Sequence, residues 1–345
     1  MKKVKLLLTI NIIQVVLLIA SICTAVIFLP KVMYFGDRNV PQTVVLGSED
    51  DKHNGFAQVT AYGAVANDGK DDTAAFKKAI ATNASIYVPA GTFDLKDTIV
   101  IDGKTLKGSG SGNTTIRSSA ENTAISLSGS CVVEDISVCF AEGALSGKEQ
   151  TGEKVALLDN GLTQGSMIRG VCVSNAGTGF LSNKENGAFC TTIEAVVFDK
   201  FSYKAIEITN GMSAVIRSAT IQTGANSTST PVSLGGVVTI EAMAFVETEC
   251  DYALELKQAT SVFVKNVTFK KVKTASNSLI NCNSARFTIQ VATLIDTTCK
   301  NIVAVNEAQD APFTTEGIVN MVYSDADASF SVSDSDKVKC EFNLK

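Results

Sequence analysis

Six short segments of this chain align with one another at a nearly constant spacing. They are IRGVCV from Ile168, IEAVVF from Ile193, IRSATI from Ile216, IEAMAF from Ile240, VKNVTF from Val264 and IQVATL from Ile289, with steps of 25, 23, 24, 24 and 25 residues. The segment VEDISV from Val133 fits the same template after a longer insertion. A fixed period of this length indicates a solenoid, in which each repeat packs on its neighbours.

The repeats have the composition of strands rather than of helices. A second set of short segments interleaves with the first, including ALEL at Ala253 and IVAV at Ile302, and each has alternating apolar residues bounded by Gly, Asn, Ser or Thr. The leucine-rich repeat frame is missing, and propeller blades need roughly 40 residues. The sequence therefore predicts a solenoid of β-coils, with parallel strands stacked at about 4.8 Å per coil.

The template also predicts which side chains point inward. Its first, fourth and sixth positions are apolar, as in Ile193, Val196 and Phe198, and we expect them to form stacked core columns. The second position points outward, and its charges alternate along the solenoid: Glu134, Arg169, Glu194, Arg217, Glu241, Lys265 and Gln290. Side chains on adjacent parallel strands lie about 5 Å apart, which favours a salt-bridge ladder over a substrate-facing stripe.

A segment ahead of the repeats carries a family resemblance. The stretch Val59–Phe93, VTAYGAVANDGKDDTAAFKKAIATNASIYVPAGTF, resembles the N-terminal module of the pectate-lyase superfamily, which also occurs in polygalacturonase-like and rhamnogalacturonase-like enzymes and in phage tailspikes. The resemblance implies an all-β, right-handed parallel β-helix with a short N-terminal capping helix. In the residues, Asp71 or Asp72 can accept hydrogen bonds at the helix start. The apolar face of that helix would be Ala75, Phe76, Ala79 and Ile80.

The N-terminus differs from the remainder of the chain. Lys2, Lys3 and Lys5 precede an apolar run from Leu6 to Leu29, which is long enough to span a bilayer as one transmembrane helix. We therefore expect a signal anchor at residues 1–30, with a cleaved signal peptide as the alternative, a linker at residues 31–57 and the β-helix at residues 58–345. This arrangement predicts a single-pass membrane protein with an extracellular C-terminal domain, or a secreted protein if the segment is cleaved.

The composition narrows the chemistry. A net charge of −5 makes a nucleic-acid partner unexpected, and the lone histidine, His53, excludes histidine-based triads. Acid/base work would fall to Asp, Glu, Lys, Arg or Tyr. All cysteines except Cys23 lie beyond the apolar run, scattered and without CxxC spacing, so a zinc site is not expected. Their even number permits disulfides, but their positions in strands favour buried free thiols.

The candidate site residues follow from the ladder and the turns. The motifs of the superfamily's hydrolase branch are missing, whereas its lyase branch implies a calcium ion held by carboxylates and an Arg or Lys base. The expected catalytic residues are Glu194, Arg217 and Glu241. Glu247, Glu249 and Asp251 are the expected calcium ligands, with a solvated acidic turn as the alternative, and Asp199 and Asp296 occupy comparable turns. Tyr203 and Tyr252 are the expected sugar-binding aromatics, with a peripheral packing role as the alternative for each.

Two functions from different classes follow. The first is a cell-surface protein that acts on polysaccharide, as a calcium-dependent polyuronate lyase. The second is a non-catalytic β-helix that serves as a surface adhesin, a carbohydrate-binding module or a structural scaffold. Both predict a polysaccharide or cell-surface glycan as the partner, together with a membrane bound through the N-terminal helix.

Overall fold

The structure is a computed structural model. It describes residues 55–142, 153–183, 190–222, 230–257, 261–276, 278–283, 287–305, 313–322, 325–332 and 338–344. These residues belong to one compact unit, Lys52–Lys345. The predicted anchor at residues 1–30 and most of the linker lie outside the described residues. Within the described part of the chain, no helix is long and apolar enough to cross a membrane.

The described part of the chain winds as a parallel β-solenoid of the right-handed type, with about 24 residues per coil. Twenty-seven of its strands form one continuous hydrogen-bonded sheet, and a separate small pair joins Glu249–Cys250 to Lys273–Thr274. The continuous sheet folds into three faces, which we call A, B and C in the order in which each coil visits them. The predicted all-β architecture and repeat length are confirmed.

Face A begins beside the N-terminal cap. Its strands are Ala57–Gln58, Ser85–Val88, Thr105–Gly108, Val132–Glu134, Met167–Arg169 and Thr192–Glu194, followed by the later parts of Lys204–Ile216 and Val232–Ile240 and the first parts of Ser261–Lys270 and Phe287–Ile295.

Face B follows face A within each coil. Its strands are Gly91–Leu95, Thr114–Ser118, Ser137–Phe140, Cys172–Ser174, Val196–Asp199, Ala219–Gln222 and Met243–Val246, followed by the later parts of Ser261–Lys270, Phe287–Ile295 and Phe313–Val322. The strand Val338–Leu344 pairs with the first part of Phe313–Val322.

Face C closes the coil. Its strands are Ile99–Asp102, Thr123–Gly129, Val155–Leu162, Thr178–Ser182, the first parts of Lys204–Ile216 and Val232–Ile240, and then Leu254–Lys257, Ser278–Asn283, Thr298–Val305 and Asp325–Val332.

The core consists of inward columns that run along the solenoid axis. Ile193, Val196 and Phe198 are at most 2% exposed, as the template predicts, and the same positions are buried on the other described coils of the repeat. A register slip of one residue would turn each of these side chains outward, so the apolar columns fix the pairing.

The predicted cap is an α-helix, Thr73–Thr82, preceded by a 3-10 helix, Val59–Tyr62. Ala75, Phe76, Ala79 and Ile80 form its buried face, as expected, and Phe76 contacts Phe93 of the first coil edge-to-face. The two aspartates divide the work at the helix start. Asp71 accepts a hydrogen bond from the Thr73 amide, whereas the Asp72 carboxylate accepts from the amides of Val65 and Asp94 and ties the cap to face B.

The end of face B is marked by single residues with left-handed backbone. Asn175, Lys200, Glu247, Lys271 and Asp296 have φ between 48° and 53°, and each directly follows a face B strand. Asparagine and aspartate tolerate this region better than most residues, whereas lysine and glutamate adopt it at some cost. These turns bring the side chains at the end of each face B strand to one edge of the solenoid.

Five of the described cysteines are free thiols, namely Cys131, Cys139, Cys172, Cys190 and Cys250. Cys131, Cys250, Cys282 and Cys299 are buried, and Cys139, Cys172 and Cys190 are half-buried. Buried thiols of this kind pack as small apolar side chains.

The stacked aromatic pair in the core provides a test of the column packing. Phe245 and Phe269 are fully buried on adjacent coils, with ring centroids 5.3 Å apart. We expect Phe245→Ala to lower the free energy of unfolding by about 3–5 kcal/mol, because it leaves a cavity in the column. Urea unfolding would measure the loss. Val246→Ala is the control, since Val246 is the next residue on the strand and points outward; a loss as large as that of Phe245→Ala would contradict the assignment.

Candidate functional site

The outward charge column of face A is a salt-bridge ladder. The strand register places Lys107, Glu134, Arg169 and Glu194 on consecutive coils. Glu134 contacts both neighbours, with 2.8 Å between its Oε1 and Lys107 Nζ and a second ion pair from its Oε2 to Arg169. Burial raises the pKa of the Glu134 carboxyl, but Lys107 and Arg169 outweigh burial and hold this pKa below its ordinary value.

The ladder continues through the three residues that the sequence predicts as catalytic. Glu194, Arg217 and Glu241 follow one another on successive coils, and Arg217 Nη1 lies 3.3 Å from Glu194 Oε2. Glu241 is exposed. The side chains of Arg217 and Glu194 are 49% and 33% exposed, so the pair is largely solvated. Glu194 and Arg217 therefore form an exposed ion pair in this column, and the catalytic role of all three residues stays a prediction.

The predicted calcium ligands are also paired along the axis. Glu247 Oε1 lies 3.0 Å from Lys271 Nζ, and Glu249 Oε1 lies 2.9 Å from Lys273 Nζ on the next coil. Asp251 is half-buried, and burial together with Glu255 raises its pKa. Among the described residues, no three His, Cys, Asp or Glu side chains come together as a metal-binding group.

The predicted sugar-binding tyrosines lie at turns before face C. Both are half-buried. The Lys204 ammonium lies 5.0 Å from the centroid of the Tyr203 ring and also pairs with Glu207 at 2.7 Å. Tyr203 therefore helps to hold a nearly buried lysine, and neither tyrosine lines the groove described next.

A groove of about 640 Å³ lies at the edge of face B. Four outward residues at the ends of face B strands form its floor on consecutive coils, namely Arg117, Cys139, Ser174 and Asp199. Of the remaining lining residues, Phe140 ends the strand Ser137–Phe140, and the others follow these strands: Ala141, Glu142, Asn175 and Lys200. Arg117 and Asp199 are three coils apart, or about 14 Å at the usual strand spacing.

Arg117 is held by a two-point contact at one end of the groove. Its Nε and Nη2 atoms donate to the two carboxylate oxygens of Asp94, at 2.5 and 2.8 Å. The contact with Asp94, reinforced by the charge of Glu142, raises the pKa of Arg117. Because Nη1 takes no part in the contact with Asp94, it remains as a donor whose direction is fixed by that contact.

Asp199 lies at the other end of the groove and breaks the pattern of paired charges. Its neighbours in the column, Ser174 and Gln222, are uncharged. Its Oδ1 is buried and has no hydrogen-bond partner among the described residues. A buried carboxylate oxygen without a donor costs about 1–3 kcal/mol or more, so this position favours a bound donor.

The two thiols near the groove are not set up as nucleophiles. Burial raises the pKa of Cys139 to about 11, and burial likewise raises the pKa of Cys172. Both side chains are therefore neutral thiols near pH 7, whereas the thiolate is the reactive form.

The sequence predicts Asp199 in a turn, whereas the structure places it last on the strand Val196–Asp199, and the groove was not predicted. Cys139, Ser174 and Asp199 occupy the position after the sixth residue of the repeat template, so one more template column would have aligned them. Arg117 lies on a coil before the first aligned segment. Its place in the same column emerges only from the strand register.

The fold and its capping module define a parallel β-helix of the pectate-lyase type. Residues 56–323 match the family described as rhamnogalacturonase A/epimerase, pectate lyase-like. The chain belongs to this family. No curated protein matches the sequence.

Solved structures show the same fold at low identity. A protein from Geobacillus virus E2, ORF18, superimposes with a TM-score of 0.58 at 11% identity, over 84% of this chain and 61% of that one. The Acinetobacter phage vB_ApiP_P1 tailspike protein gives 0.51 at 11% identity, over 86% and 60%. The catalytic unit of a GH87 alpha-1,3-glucanase from Streptomyces thermodiastaticus gives 0.50 at 15% identity, over 84% and 69%.

The ladder predicts a pH dependence of stability. Because the folded-state pKa of Glu134 lies below its ordinary value of 4.5, its contribution is complete above that value and disappears as the pH falls through the folded pKa. We expect Glu134→Gln to lower the free energy of unfolding at pH 7 by about 2 kcal/mol. The variant should also lose less stability than the parent below about pH 4.5, as measured by urea unfolding across pH.

Glu194→Gln is the matched control, because its pair with Arg217 is exposed and contributes under about 1 kcal/mol. If Glu134→Gln were as stable as the parent at pH 7, the ladder would not stabilise the fold.

Proposed function

We propose that this protein binds polysaccharide along the groove at the edge of face B. The observation that carries this proposal is the Asp199 carboxylate at the groove floor, whose Oδ1 is buried without a hydrogen-bond partner among the described residues. A sugar hydroxyl in the groove donates to this carboxylate without adding charge, and a carboxylate accepts such bonds strongly.

The groove offers both kinds of hydrogen-bonding group along one line. Arg117 Nη1 is a fixed donor at one end, Asp199 Oδ1 is an acceptor at the other, and Lys200 adds an exposed donor beside it. Because these groups come from equivalent positions on stacked coils, the line runs along the solenoid axis. A linear polymer of repeating units matches such a site better than a single small molecule does.

Family membership supports a carbohydrate partner. The family description names a rhamnogalacturonase and an epimerase, and the GH87 enzyme of similar fold is an alpha-1,3-glucanase. The structural likeness is one of fold alone. The proposal that the groove binds polysaccharide therefore rests on the chemistry of the residues that line it. Alpha-1,3-glucan is accordingly one of the first polymers to test.

The N-terminal segment supports an extracellular location for polysaccharide binding. The lysines before Leu6–Leu29 favour a domain outside the cell, tethered to the membrane or released from it, where polysaccharides are met. A calcium-dependent polyuronate lyase stays a prediction, because the predicted calcium ligands Glu247 and Glu249 are paired with lysines. Binding without turnover is the function that the groove supports best.

A pair of arginine variants separates the groove from the ladder. Arg117→Ala removes the fixed donor, and we expect it to weaken binding of the best polymer by about tenfold or more. Arg217→Ala removes a ladder residue outside the groove and should leave the affinity unchanged. A panel of polysaccharides would be screened by affinity electrophoresis, and dissociation constants would then be measured by calorimetry.

Circular dichroism would establish that both variants fold. Loss of binding in Arg217→Ala with full binding in Arg117→Ala would move the site to face A and overturn the proposal. Product analysis after incubation with each polymer, with and without added calcium, would detect any turnover.

A further inference from the structure

The charges around the groove bear on which glycans it accepts. Arg117 is already neutralised by Asp94 through two hydrogen bonds, so it presents a donor rather than an unbalanced positive charge. The remaining charged residues that line the groove are Glu142, Asp199 and Lys200. When Asp94, which lies behind Arg117 and outside the lining, is counted with Arg117, Glu142 and Asp199 against Lys200 leave the groove with a net charge of −1.

For the choice of ligand, the position of the negative charge matters more than the net charge of the groove. Asp199 Oδ1 is buried, and the column neighbours Ser174 and Gln222 bring no cation to it. A buried charge is screened far less by water and salt than an exposed one. By contrast, Lys200 and Glu142 are exposed, so solvent screens their effect on a ligand.

We infer that the groove selects uncharged glycans and rejects uronate polymers, with Asp199 as the residue that sets this preference. The inference rests on the proposed polysaccharide binding and specifies its ligand class. A neutral sugar donates a hydroxyl to the Asp199 carboxylate, which lines the groove. A uronate carboxylate at the same place would put two negative charges together in a poorly solvated site, which is costly.

The salt-bridge ladder on face A would not produce this selectivity for uncharged glycans. The outward column of face A alternates positive and negative residues, so it has no preference for either sign along its length. Selection against uronates therefore requires the groove, where the Asp199 carboxylate has no ion pair among the described residues. The neutral preference also separates this chain from a lyase that needs a uronate carboxylate next to the proton it removes.

The test uses ligands that differ only in charge. Polygalacturonate and alginate oligosaccharides are compared with the same oligosaccharides after their carboxylates are reduced to primary alcohols, alongside neutral alpha-1,3-gluco-oligosaccharides. We expect the parent protein to bind the uncharged ligands at least about tenfold more tightly than the uronates, as measured by calorimetry.

Asp199→Asn removes the charge and keeps the size. We expect this variant to lose about tenfold in affinity for the uncharged ligand and to bring the uronate and reduced forms to within about threefold of each other. Asp296→Asn is the matched control, because Asp296 is an exposed aspartate at the same edge of the solenoid and outside the groove lining. It should preserve the parent's preference.

The outcomes are distinct. Tighter binding of a uronate than of its reduced form by the parent protein would overturn the inference and leave the proposed polysaccharide binding standing. An unchanged preference in Asp199→Asn would remove Asp199 as its cause and also overturn the inference. Failure of every ligand, charged and uncharged, to bind the folded parent protein would overturn the proposed function itself, and the inference with it.

Discussion

Each described strand of the continuous sheet, apart from those at its two ends, takes its hydrogen-bond partners from the coils before and after it, and this parallel, in-register pairing governs the remainder of the structure. Val197, for example, pairs with Cys172 on one side and Thr220 on the other. Buried columns such as the one through Val173, Phe198 and Ile221 prevent a slip of register, because a shift of one residue would expose them. The outward side chains must then stack in columns too, whatever their chemistry.

Two arrangements of a charged residue in these outward columns are seen in the structure. It either meets an opposite charge on the next coil about 5 Å away, or it stands among uncharged neighbours and depends on solvent or a ligand. Glu134 illustrates the first outcome, with a cation on each side. Asp199 illustrates the second, since its column neighbours are Ser174 and Gln222 and its Oδ1 is buried. The same geometry thus produces a structural ladder on one face and a candidate binding site on another.

These two outcomes also explain how far the sequence could predict the structure. The repeat spacing, the buried template positions and the ladder follow from local patterns that recur in every coil, so they could be predicted. The helix cap could be predicted as well, although Asp72 turned out to bond Val65 and Asp94 instead of the first turn of the helix. The groove could be predicted only in part. Cys139, Ser174 and Asp199 share one column of the repeat, whereas Arg117 precedes the aligned segments and joins that column only through the strand register.

The unsatisfied groups are concentrated in one place. The described side-chain oxygens that are buried without a partner are Thr191 Oγ1, Asp199 Oδ1 and Ser202 Oγ, and all three belong to a single coil. Other buried polar side chains in the described part of the chain have hydrogen-bond partners. Asp159, for instance, accepts hydrogen bonds from two backbone amides and from the Ser182 hydroxyl. Unpaired buried polar groups raise the free energy of the folded state. In this structure that cost is confined to one coil of the described chain, and the packing of the described residues there does not offset it. One of the three groups belongs to Asp199, on the floor of the groove. A bound ligand that donates hydrogen bonds to this carboxylate would account for an aspartate without a protein donor at this position.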